Sequence, residues 1–88
     1  MTFEKTRSVI RDYASDFRNA GHRPDRADLS QPLAWMTAKN HLLWMCEEAL
    51  TWDESRKEKM MRWLGFIQGV LAIVEQKPIQ ELKEANAP

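Results

Sequence analysis

Apolar side chains recur at spacings of three and four along three stretches of this chain, and that rhythm predicts an all-α fold. The most apolar stretch runs from Met60 to Val74. There Met60, Trp63, Leu64, Ile67, Val70, Leu71 and Val74 line one face of a helix expected over 53–76. Trp63, Leu64, Ile67, Val70 and Leu71 are its expected core. Gly65 and Gly69 lie one turn apart on the opposite side. Each glycine costs a helix about 1 kcal/mol relative to alanine, so the pair predicts a close helix contact, inside the monomer or across a two-fold homodimer. A second amphipathic helix is expected over 3–20, with Phe3, Thr6, Val9, Ile10, Tyr13, Phe17 and Ala20 inward. A third is expected over 31–50, carrying Ala34, Trp35, Ala38, Leu42, Met45, Cys46, Ala49 and Leu50 on a broad apolar arc. A short fourth helix over about 78–85, with Ile79 and Leu82 as anchors, completes a small bundle treated as one domain, 1–88.

The punctuation agrees with this layout. Thr2 is placed to cap the first helix, and Gly21 supplies the left-handed residue that ends it. Gly21 to Ser30 is the one long connector. Ser30 followed by Pro32 reads as the start of the second helix. Thr51-Trp52-Asp53-Glu54 has the capping-box spacing, so the second and third helices should form an antiparallel hairpin.

Two features do not belong to the expected core. Trp44 stands off the apolar arc of the second helix, among Asn40, Glu47 and Glu48. An aromatic on a polar face is either the anchor of a partner interface or is covered by a neighbouring helix. On the first helix Arg7, Arg11 and Arg18 form a stripe beside the apolar face. Such a stripe either pairs with acids on the next helix or meets an anionic partner.

Composition narrows the function. Thirteen basic and thirteen acidic side chains cancel, which disfavours a phosphate-driven nucleic-acid binder. Four tryptophans in 88 residues is a high number, and tryptophan is enriched at contact surfaces as well as in cores. A lone cysteine, Cys46, permits no internal disulfide and points to a reducing cytoplasm. The opening MTFEKTRSVIRD lacks the apolar core of a signal peptide, and the run from Leu64 to Val74 is too short to span a bilayer. Enzyme chemistry is not expected. The glycines of 53–76 lack the Lys-Ser/Thr of a phosphate loop, and His41 and Cys46 diverge by about 140° on a helix. Glu47 and Glu48 read as a solvated edge. His22, Asp25 and Asp28 lack any metal-ligand spacing, so neither a metal nor another cofactor is expected.

The segment Arg62-Trp63-Leu64-Gly65-Phe66-Ile67-Gln68-Gly69-Val70-Leu71, followed by Ile79 and Leu82, resembles one found in small phage and prophage proteins. The resemblance spans about residues 58–83 and implies an accessory protein that binds and modulates or inhibits a host protein in the host cytoplasm. The residues themselves point to a non-enzymatic binder with Trp44 as anchor, Asn40, Glu47 and Glu48 as its polar rim, and Arg7, Arg11 and Arg18 as a second contact. The alternative is a nucleic-acid or nucleoprotein factor working through that arginine stripe.

Overall fold

The computed structural model describes residues 1–28, 30–35, 37–75 and 78–87. It is all-α: α1 spans Phe3–Asn19, α2 Ala38–Ala49, α3 Lys57–Val74 and α4 Ile79–Asn86. Helix α1 lies against both α2 and α3, and α4 lies across α1 and α3. Among the described residues no helix is long and apolar enough to cross a membrane.

Helix α1 is fastened at both ends by its own sequence. The Thr2 hydroxyl accepts the Lys5 N–H at 3.0 Å, satisfying one of the free donors of the first turn. At the other end Gly21 adopts φ 91°, and the N–H groups of Gly21 and His22 return to the carbonyls of Arg18 and Phe17. Its inward face is Thr6, Val9, Ile10, Ala14 and Phe17. Ala20, expected on that face, is exposed because the chain has already left the helix.

Helix α2 begins at Ala38, not near Gln31. The Asp28 carboxylate takes both the N–H and the hydroxyl of Ser30, an Asx-type turn that occupies the groups a helix cap needs. Trp35, expected on the buried arc, is 63% exposed because it precedes the helix. Within α2, Leu42, Leu43, Cys46 and Ala49 are fully buried, and Met45 is nearly so. The start of α3 also differs from expectation. Thr51 does not cap it; its hydroxyl bonds back to the Glu48 carbonyl. Asp53 is the cap instead, accepting from the Ser55 N–H and hydroxyl ahead of a 3₁₀ turn at Glu54–Arg56. The expected end at Gln76 lies outside the described residues.

Met60, Leu64, Ile67 and Leu71 of α3 enter the core, while Trp63 and Val70 pack partly buried at its margin. Gly65 and Gly69 face solvent, and a Cβ at either would meet nothing within 4 Å. The close contact inside the monomer is therefore overturned: the elements that pack on α3 cover its opposite face.

Helix α4 is held by a polar clamp that periodicity does not reveal. Gln68, buried on α3, donates to Asn86 Oδ1 at 2.7 Å and accepts from Asn86 Nδ2 at 2.8 Å. Its amide also lies 3.1 Å from the Tyr13 hydroxyl of α1. Leu82 is buried as expected, but Ile79 is 61% exposed and anchors nothing. Truncating Asn86 takes the donor from Gln68 Oε1, and a buried polar group that loses its partner costs about 1–3 kcal/mol. Asn86→Ala should therefore destabilise the fold by about that much and raise amide exchange selectively in α4. Leu71→Ala, a core cavity, should cost about 2–5 kcal/mol and act globally. Unchanged exchange across α4 in the Asn86 variant would show that the clamp does not hold it.

Candidate functional site

The connector after α1 is stitched to the first turn of α2. Asn40 Oδ1 accepts from His22 Nδ1–H at 3.1 Å and from the Arg23 N–H at 3.3 Å, and the Asn40 carbonyl accepts the Asp25 N–H at 3.2 Å. The Ala27 N–H donates to His41 Nδ1 at 3.0 Å, which fixes the neutral imidazole with its proton on Nε2. These bonds bring Arg26 over α2, with its guanidinium carbon 5.0 Å from the centre of the Trp44 ring.

From Trp44 the aromatic contacts run across to α3. His41 lies nearly parallel to Trp44 at 5.8 Å, Trp44 meets Trp63 at 6.0 Å, and Trp63 meets Trp52 edge-on at 4.7 Å. Lys59 sits 5.1 Å from the Trp52 ring and 5.5 Å from Trp63, and Arg56 is 5.4 Å from Trp52. Between α2 and α3 this arrangement leaves an open cleft of about 310 Å³ walled by Arg26, His41, Trp44, Met45, Trp63 and Phe66.

Trp44 is thus half-buried: tertiary contacts support its ring while it still lines an open cleft. The three residues expected to ring it go elsewhere. Asn40 is the anchor of the connector. Glu47 forms an ion pair with Arg18 of α1. Glu48 is exposed, with its carbonyl taken by Thr51. The arginine stripe is likewise divided. Arg7 donates to the Leu50 carbonyl at the end of α2, where a cation suits the helix dipole, and its Nε is buried without a partner. Arg18 is paired, and Arg11 is exposed. The cleft residues missed from sequence, Arg26, Trp63 and Phe66, come from a loop and from α3. Their one advance signal is the excess of tryptophan.

Cys46 is fully buried, and desolvation pushes its thiol up to about 12, so almost no thiolate exists at neutral pH. His41 has its Nδ1 committed to the Ala27 N–H. Among the described residues no three His, Cys, Asp or Glu side chains gather as a metal-ligand set. No family model matches the chain, and neither a curated protein nor a solved structure is found similar to it.

Burial, reinforced by the nearby Arg26 charge, holds the His41 pKa below its ordinary 6.5. Below pH 6.5 the unfolded chain takes up a proton that native His41 refuses, so stability present at neutral pH is lost as pH falls through 6.5 towards the lower native value. Protonation also turns Nδ1 into a donor facing the Ala27 N–H. The melting temperature should therefore fall between pH 7.5 and 5.5. His41→Asn, whose Oδ1 substitutes for Nδ1, should flatten that fall. Asp28 and Asp53, held below the usual carboxylate range by Ser30 and Ser55, titrate under this window. An unchanged pH profile in the His41 variant would refute the assignment.

Proposed function

We propose that this protein is a non-enzymatic binding module whose cleft between α2 and α3 receives a side chain of a partner protein. The observation that carries the reading is the cleft itself: three aromatic walls, Trp44 and Trp63 already in contact and Phe66 beside them, still open to solvent. Interface anchors bind best where the receiving pocket is preorganised and its walls are aromatic. Phe66 is 48% exposed, an apolar area that a partner would remove from water. The absence of an activated nucleophile at Cys46 and the structural commitment of His41 support a binding role over a catalytic one. The resemblance of Arg62–Leu71 to a segment of small phage and prophage proteins favours as partner a host component in the cytoplasm, modulated by occupation of its surface. The nucleic-acid alternative loses support because Arg7 and Arg18 are spent within the fold.

The test is retention of a partner from host lysate by immobilised protein, compared across variants. Phe66→Ala and Trp44→Phe should each reduce retention at least about tenfold while the fold is kept, and Ile73→Ser, on the exposed side of α3 outside the cleft, should retain the partner normally. Equal retention by all variants would place the interface elsewhere.

A second reading, self-association, rests on a different observation. Met61, Phe66 and Ile73 stand exposed beside Gly65 and Gly69, whose missing side chains leave open space on the same helix. A second copy seated there would explain two glycines that no intramolecular contact requires. Gly69→Leu should then halve the mass measured by light scattering without lowering stability. A monomeric mass in the unmodified protein would dismiss this reading.

A further inference from the structure

The cleft carries a charge pattern that the reading of it as a protein-docking site does not by itself require. Among its described lining residues the only formal charge is Arg26, and none of them is a carboxylate. Lys59 adds a second cation beside the Trp63 wall, and Arg56 a third over Trp52. Among the described residues neither Arg26 nor Lys59 is paired with a carboxylate; both rest on indole faces. That mounting has a chemical consequence. A guanidinium stacked on a ring engages through its flat face, which leaves the N–H groups at its edge free to donate. An ammonium over two rings still points hydrogens outward. The rings thus hold two cations in place at the mouth of an apolar cleft without neutralising them, so little side-chain entropy remains to be lost when an anion arrives.

Resting on the proposed role of this cleft, we propose that its occupant is an acidic segment of a partner protein bearing one aromatic residue, the ring packing into the cleft mouth against Trp44, Trp63 and Phe66 and the flanking carboxylates meeting Arg26 and Lys59. The volume, about 310 Å³, accepts a single aromatic side chain rather than a folded element. A nucleic-acid strand suits the site less well. Successive bases need open ring faces on which to stack. Here His41 lies parallel to Trp44, Arg26 sits over the same ring, and Trp52 closes on Trp63 at 4.7 Å. The exposed apolar wall of the cleft is Phe66, a surface suited to edge-to-face packing of a phenyl or phenol ring.

The experiment uses defined probes on the full chain: fluorescein-labelled Glu-Asp-Glu-Phe-Asp-Glu, its charge-reversed counterpart Lys-Arg-Lys-Phe-Arg-Lys, its alanine counterpart Glu-Asp-Glu-Ala-Asp-Glu, and an oligothymidylate. Binding is read by anisotropy and by the indole N–H resonances of Trp44 and Trp63. The acidic aromatic peptide should bind at least about tenfold more tightly than either counterpart, shift both resonances and weaken with added salt. Arg26→Gln and Lys59→Gln should each weaken it about threefold or more while the protein stays folded by circular dichroism. Equal binding of the charge-reversed peptide with the same resonance shifts overturns the charge selectivity and leaves the docking cleft standing. Equal binding of the alanine peptide shows that the cleft is not entered and overturns the proposal. Resonance shifts produced by oligothymidylate alone, or by none of the probes at millimolar concentration, overturn both the acidic occupant and the docking cleft.

Discussion

Seven of the twelve residues of α2 are buried, on more than one side of the helix, and the rest of the structure follows from the need to cover them. A helix this short is marginal on its own in water, so its stability has to come from what packs around it. Helix α1 covers one flank with Val9, Ile10 and Phe17, and α3 covers another with Met60, Leu64 and Ile67. The connector covers part of what is left, through four donors directed at Asn40 and His41. At the far end Arg7 meets the Leu50 carbonyl. The aromatic cleft is the place where this coverage stops short. Trp44 is too far round α2 to enter the α1 interface and too large to be left bare, so it is propped by His41, Arg26 and Trp63 instead.

That origin explains why structure and function share residues here. His41 is at once the acceptor that fixes the connector, the ring that supports Trp44 and a wall of the cleft. Arg26 reaches Trp44 only because Asp25 and Ala27, on either side of it, are hydrogen-bonded to α2. A change in the connector therefore reshapes the cleft without touching α2 or α3. On the other side Gln68 and Asn86 keep α4 away from the cleft, against the opposite part of α1 and α3, so its mouth stays uncovered.

Much of this fold is legible in the sequence because local chemistry and burial agree. Helix α1 has a strong apolar face, a Thr cap and a Gly terminator, and all three appear where the pattern puts them. The start of α2 is misread because Ser30 and Pro32 mimic a helix start, while the Asx-type bonds that claim Ser30 depend on Asp28, two residues earlier. Gln68 looks like an interruption in an apolar run until Asn86, eighteen residues away, supplies its partner. Trp44 is conspicuous in sequence, but its surroundings are not. Arg26, Trp63 and Phe66 are brought to it by tertiary packing that no single-helix pattern encodes, whereas Asn40 and Glu47, its neighbours on the helix surface, turn to the connector and to α1. The glycines of α3 mark a face that is open in the isolated chain, so their spacing alone does not identify what lies against them.

The free protein holds a preformed cleft in which Arg26 and Lys59 lie over tryptophan rings between the connector, α2 and α3. Ring currents report this directly, because protons lying over an indole face move upfield. In the proton spectrum of the unliganded protein at neutral pH, the side-chain methylene protons next to the charged groups of Arg26 and Lys59 should be displaced well upfield of their values in unstructured peptides, with nuclear Overhauser contacts linking Trp44 to Trp63. Methylene protons of both residues at unstructured-peptide positions, with no contact between the two rings, would contradict the account.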